Sequence, residues 1–172
     1  MSGVTVHPAS VDDAAAIGRL RIETWRAAYA GIVADDLLDG LVSDEADVER
    51  RRRYIAEPAP QTHTLVGTTD DAVVGFAVAG PSRDDDAKEA TGEIYAIYVS
   101  AAHWGSGIGR QLMNASMSAL RREGFARVTL WVLEGNARAR RFYETAGLAP
   151  DGARKALEMP GETPEIRYAG PL

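Results

Sequence analysis

The stretch His-Trp-Gly-Ser-Gly-Ile-Gly-Arg, residues 103–110, decides the reading of this chain. Its glycines fall at alternate positions, Gly105, Gly107 and Gly109. An apolar run with strand character, residues 93–99, leads in, and a helical pattern over 108–123 leads out. A glycine has no Cβ, so it tolerates positive φ and lets another molecule approach its backbone. A strand, a glycine-rich loop and a helix in that order aim unpaired N–H groups at one point, where an anion is favoured. The expectation is a phosphate or pyrophosphate cradle; the alternative is a glycine-rich turn with no ligand. The dinucleotide pattern G-x-G-x-x-G fails because its last glycine would fall at Arg110, and no Lys-Ser/Thr pair follows to make a Walker loop.

Composition narrows the class. The 172 residues are 45% hydrophobic and 26% charged, which predicts one globular domain with a sizeable core. A net charge of −6 argues against nucleic acid as a partner and suits a cationic amine. There is no cysteine, which excludes disulfides, thiolate metal sites and a cysteine nucleophile. The first residues lack a basic segment followed by an apolar one, and no apolar run reaches membrane-spanning length. A soluble cytoplasmic protein without a membrane partner is expected. His7, His63 and His103 stand far apart, none at metal-ligand spacing, so no metal site is expected; His103 reads as a surface imidazole, the alternative being a place near the phosphates.

Along the chain, residues 5–7 read as a strand ended by Pro8. Ser10 and Asp13 have capping-box spacing, opening a helix to about Tyr29 with Val11, Ala14, Gly18, Ile22, Trp25 and Tyr29 on one face. Residues 35–41 and 43–57 read as further helices, the second capped by Ser43 and carrying Arg50, Arg51, Arg52 and Arg53 on a solvated face. Residues 61–67 and 72–80 form a hairpin, and 81–92 a mobile acidic loop. On the strand 93–99, simple alternation puts Glu93, Tyr95, Ile97 and Val99 on one face and Ile94, Ala96 and Tyr98 on the other. A strand at 127–133, a helix at 137–146 capped by Asn136, and two weaker strands near 153–158 and 165–169 complete one α/β domain over residues 1–172.

This order of parts resembles the GCN5-related N-acetyltransferase superfamily. The likeness is clearest over residues 93–148: the strand ending Ala-Ile-Tyr-Val, the G-x-G-x-G-R loop, a helix, a strand, an Asn136-led helix with Phe142-Tyr143-Glu144, then Gly147-Leu148. Residues 24–32, Thr-Trp-Arg-Ala-Ala-Tyr-Ala-Gly-Ile, resemble the first-helix region of many bacterial members.

The resemblance implies a mixed, mostly antiparallel sheet flanked by helices, an α/β (α+β) fold whose fourth and fifth strands splay apart. It implies acetyl-CoA as donor, with no metal, and an amine of a small molecule or peptide as acceptor. The backbone of Ile97, Tyr98 and Val99 would hold pantetheine as an added strand does, one N–H polarising the thioester carbonyl. The backbone of Gly105, Ser106, Gly107, Ile108, Gly109 and Arg110 would bind pyrophosphate. Asn136 would contact the cofactor, and Tyr143 would stand near its sulfur and protonate the leaving thiolate; position alone makes Tyr143 a packed core residue. Glu93 would remove the amine proton, or is simply a strand-start carboxylate. The fifth-strand glutamate used by some relatives is Trp131 here.

Trp25, Tyr29 and Tyr95 would line the acceptor pocket; by position Trp25 and Tyr29 are equally core aromatics. One departure stands out. Where the family usually has Arg or Gln, this chain has Trp104, which leaves Arg110, Arg138 and Arg141 to supply phosphate charge. The rival reading is a non-catalytic module that binds acetyl-CoA as a sensor or scaffold. An exposed sheet edge is compatible with a homodimer.

Overall fold

In the computed structural model, which describes residues 3–157 and 163–172, seven strands share one sheet. They are β1 (Thr5–Pro8), β2 (His63–Thr69), β3 (Ala72–Pro81), β4 (Thr91–Val99), β5 (Arg127–Leu133), β6 (Ala149–Ala156) and β7 (Pro164–Pro171). Their order is β1-β2-β3-β4-β5-β7-β6. Every pairing is antiparallel except β4 with β5. The helices are α1 (Ala14–Ala28), α2 (Asp35–Asp39), α3 (Glu45–Ala56), α4 (Ile108–Arg122) and α5 (Ala137–Thr145).

Apolar stripes hold helices on both faces of this sheet. On one, α4 buries Ile108 and Leu112 against Leu65 and Ala77, and Met113, Met117 and Leu120 against Ile94, Val128 and Leu130. On the other, Ile17 and Leu20 of α1 meet Val66 and Phe76. Each such buried side chain contributes about 1.5–3 kcal/mol of transfer free energy, so the stripes, rather than helix propensity, fix the packing. Among the described residues no helix is long and apolar enough to cross a membrane.

Local ends differ from expectation in instructive ways. The Asp13 carboxylate does accept the Ser10 N–H at 2.7 Å. It closes only a 3₁₀ turn over Val11–Asp13, however, so α1 starts at Ala14 and Val11 stays exposed. Helix α3 is capped by Asp44, which accepts from the Asp47 N–H at 2.8 Å, and not by Ser43, whose hydroxyl donates to Asp47 instead. The arginines of α3 form a charged face as expected: Arg50 and Arg51 pair with Asp47, and Arg52 with Glu49. The last two strands are longer than the sequence suggests, and Glu158, expected at the end of one, lies outside the described residues.

The feature that positions the site is in β4. Ala79 pairs with Ile94 but Val78 with Ala96, so Tyr95 is an extra residue, a β-bulge. The bulge breaks the expected alternation. Ile94, Ile97 and Val99 all pack toward α4, while Ala96 and Tyr98 join the α1 cluster. Beyond it β4 and β5 separate: their register runs only from Thr91–Arg127 to Glu93–Thr129. The expected splay is therefore present, and it opens a cleft.

Candidate active site

The cleft between β4 and β5 encloses about 670 Å³. A second hollow of about 440 Å³ lies over the glycine loop. Val99, Trp104, Gly105, Gly109, Arg138 and Phe142 line both.

The loop has the backbone that its glycines require. Gly105 and Gly107 take φ of 79° and 90°, in the left-handed region that residues with a Cβ rarely enter. A Cβ on Gly105 would meet nothing within 4 Å, so the surface above it is open. Gly107 is the N-cap of α4, which places the first N–H groups of a 15-residue helix at the hollow. The side chains at 106 and 108 do not face it. Ile108 is buried under the loop, and the Ser106 hydroxyl donates to the His103 carbonyl at 2.6 Å. The Ser106 hydroxyl proton is thus already used, and neither side chain lines the hollow. Of the two readings of His103, a surface imidazole and one near the phosphate loop, the second fits: it is half-buried, lines the hollow, and its Nδ1 is buried without a hydrogen-bond partner.

Trp104 has a defined task. Its indole N–H donates to the Val99 carbonyl at 2.8 Å, and the Arg138 guanidinium lies on its ring, 3.2 Å from the centroid. Burial lowers the pKa of Arg138. Of the three arginines proposed to supply phosphate charge, Arg138 stands at the junction of cleft and hollow and Arg110 lines the hollow.

The three backbones expected to hold pantetheine are not equivalent. The Tyr98 carbonyl oxygen would be 3.1 Å from a Cβ on Gly75, so it is turned toward β3. Alternation then turns the backbone groups of Ile97 and Val99 toward the gap, where Trp104 already occupies the Val99 carbonyl. Tyr98 contributes its phenol, beside Tyr29.

In the cleft, Trp25 of α1 and Tyr29, which caps that helix, pack edge to face at 5.0 Å. Both are core aromatics and cleft walls at once. Burial pushes the Tyr29 phenol far above its ordinary range, and Tyr98, Tyr143 and Glu165 push it further. Tyr143, on α5, is buried between Phe142 and Tyr168, with ring centroids 5.4 and 6.1 Å away. Burial, with a smaller contribution from Tyr98, raises its pKa well above that of an ordinary phenol. Asn136 caps α5 by accepting the Ala139 N–H at 3.1 Å, and its NH₂ donors remain for the cleft that it lines.

Glu93 is only 2% exposed and is fully engaged. One oxygen accepts the Arg83 backbone N–H at 2.8 Å and the other the Arg83 guanidinium at 2.6 Å. That guanidinium also lies over the Tyr95 ring, 4.0 Å from its centroid, and Tyr95 Oη donates to the Pro81 carbonyl at 2.5 Å.

The sequence reading missed this arrangement. The loop after β3 was expected to be mobile and solvated. Instead Asp84 accepts the Trp131 indole N–H at 2.9 Å and an Arg167 N–H at 3.0 Å, while Asp86 takes two more from Arg167 at 2.6 and 2.8 Å. Residues 83–86 thus strap β4 to β5 and β7. Lys155 and Glu165 complete the opposite wall, 3.9 Å apart, with Lys155 over the Trp131 ring. No short motif announces these residues, because each partner lies on a different strand.

Comparison with known proteins places this geometry. The sequence profile described as the acetyltransferase (GNAT) family matches residues 22–148. The uncharacterized N-acetyltransferase YuaI of Bacillus subtilis is 29% identical over 133 residues, 77% of this chain and 73% of that protein. The mycothiol acetyltransferase of Beutenbergia cavernae is 46% identical over 71 residues, but the match spans only 24% of that longer protein. Among solved structures, PaiA N-acetyltransferase from Thermoplasma acidophilum in complex with coenzyme A superposes with a TM-score of 0.79 at 16% identity, covering 99% of each chain. YncA from Salmonella typhimurium, with acetyl-CoA, gives 0.74 at 23% identity, covering 98% of this chain and 94% of that one.

The chain belongs to the acetyltransferase (GNAT) family. Its reaction class is therefore acetyl transfer from acetyl-CoA, with an amine as the coarse class of acceptor.

Proposed function

We propose that this protein acetylates a primary amine of a small molecule or peptide by direct transfer in a ternary complex. The observation that carries the reading is the continuity of the two cavities. A loop that presents backbone donors opens into a cleft between splayed strands, with a buried phenol on α5.

Acetyl-CoA supplies the activated thioester; the chain's residues do the rest. The N–H groups of 105–110, with Arg138 on its Trp104 platform, receive the diphosphate. Ile97 offers the gap-facing backbone groups for pantetheine and for the thioester carbonyl, and Val99 its N–H. Asn136 adds an amide contact. Tyr143 donates its proton to the leaving thiolate; any phenol is protonated at neutral pH, and burial shifts this one further in the same direction. Trp25, Tyr29 and Tyr95 shape the acceptor side.

Glu93 has both oxygens bound by Arg83, so we assign it first to holding Arg83 rather than to taking the amine's proton. No covalent enzyme intermediate is required: the deprotonated amine nitrogen bonds to the acetyl carbon as the carbon–sulfur bond breaks, its surplus protons pass to solvent water, and Tyr143 protonates the departing sulfur.

Initial velocities at several fixed acetyl-CoA concentrations test direct transfer. Intersecting double-reciprocal lines are expected. Parallel lines, the mark of an acetylated enzyme, would refute it.

A further inference from the structure

We propose that the amine acceptor also carries an anionic group, a carboxylate, and that Arg83 is its receptor; the acceptor class is then an amino acid or a peptide with a carboxylate close to its amine. This rests on the acetyl-transfer reading of the same cleft.

Three features make Arg83 a built receptor rather than a surface cation. Its backbone N–H and guanidinium both bind the carboxylate of Glu93, which is 2% exposed. Removing the guanidinium would leave a buried charge unpaired, so it is held in place. Its flat face lies on Tyr95, a ring itself tied to the Pro81 carbonyl. The next residue, Asp84, is anchored on the opposite wall by Trp131 and Arg167, so the backbone carrying Arg83 is fixed on both sides of the cleft.

Yet the Arg83 side chain is 63% exposed and lines the cleft. A guanidinium has five N–H donors in one plane, and a carboxylate accepts two of them side by side. Because this one is already immobilised, binding costs little side-chain entropy.

The charges around it suit a zwitterion. Of the carboxylates lining the cleft, Glu93 and Asp84 are held by Arg83 and Arg167, and Glu165 faces Lys155 across 3.9 Å. Three cations line the cleft, in a chain whose net charge is −6: Arg138 at its junction with the hollow, on the Trp104 ring, and Arg83 and Lys155 on the two walls. A simple polycation would have to displace Arg83 from a buried carboxylate. An acceptor with its own carboxylate uses Arg83 where it stands.

The test uses matched pairs that differ only by the carboxylate: phenylalanine with phenethylamine, tyrosine with tyramine, and lysine with cadaverine. Acetylation is followed by thiol release, and binding to the CoA-loaded protein by calorimetry. At least one amino acid is expected to exceed its decarboxylated partner tenfold or more in kcat/KM. Arg83→Lys, which keeps the charge beside Glu93, should cut that preference severalfold, and Arg83→Gln should bring the ratio near one. Acetyl-CoA affinity, measured on each variant, should be unchanged and so certify the fold.

Amines that equal or exceed their amino acids overturn the inference. So does a protein that binds acetyl-CoA but neither binds nor acetylates any of the amino acids, and both results leave the acetyl-transfer reading standing. A protein that binds no acetyl-CoA overturns that reading, and this inference with it.

Discussion

Replacing Tyr143 by Phe removes one oxygen from the buried wall of the cleft. The ring packs against Phe142 and Tyr168, and those contacts survive the change. A loss of stability of about 1 kcal/mol or less is expected, a shift of roughly 2–4 °C in Tm for a chain of this size. The effect on turnover should be much larger. General acid catalysis is worth about 10²–10⁴-fold. A thiolate, whose acid has a pKa near 8.5, is already a fair leaving group, so the low end applies: about 100-fold in kcat, or about 2.7 kcal/mol.

The pH dependence has a definite sign. Burial raises the phenol's pKa, so Tyr143 still holds its proton where an ordinary phenol would lose it. The wild-type rate should therefore show no falling limb from this group below about pH 10. The assay is single-turnover acetyl transfer, which separates chemistry from product release, beside calorimetric titration with acetyl-CoA. A Phe variant within threefold of wild type would refute the acid role. A loss wholly in acetyl-CoA affinity would make Tyr143 a binding residue instead.

Three further outcomes follow from the same geometry. Gly107→Arg puts a side chain at a φ of 90° in the mouth of the hollow, and acetyl-CoA binding should vanish in titration while the folded circular-dichroism spectrum remains; normal binding would remove the cradle. Arg138→Gln strips the cation from the Trp104 ring and should weaken acetyl-CoA about tenfold, as one charge-assisted hydrogen bond is worth about 1.5–3 kcal/mol, without changing affinity for pantetheine; equal losses for both ligands would contradict a phosphate role. Glu93→Gln should raise the acceptor's KM about tenfold and leave the shape of the kcat/KM pH profile intact, as loosening Arg83 by one charge-assisted hydrogen bond requires. A collapse of kcat with loss of the acidic limb would show that Glu93 takes the proton after all.

What the sequence made legible was local. The loop at 103–110 could be read because positive φ demands glycine and a helix N-terminus follows directly. Strands β2 to β5 could be read from apolar runs bounded by turn residues, whereas the splay of β4 from β5 came only as what the family resemblance implied. The face assignments of Glu93, Tyr95, Ile97 and Val99 failed because one inserted residue, Tyr95, reverses a period of two, and nothing within β4 marks where β3 yields the register. The strap at 83–86 was hidden for another reason. Three acidic residues in a row read as solvent-facing, yet Asp84 and Asp86 are held by Arg167, some eighty positions later, and Asp84 by Trp131. Such long-range pairs leave no spacing to recognise. Arg83 was invisible for the same reason, since its partner Glu93 is meaningful only once β3 and β4 are folded together.

Catalysis is tested most directly by thiol release from acetyl-CoA by the purified protein over a panel of primary amines, amino acids, aminoglycosides and N-terminal peptides. Acceptor-dependent release, matched by acetylated product in mass spectrometry, is the predicted result. Tight acetyl-CoA binding with no release for any member of the panel would contradict catalysis and leave a protein that holds the donor without transferring from it.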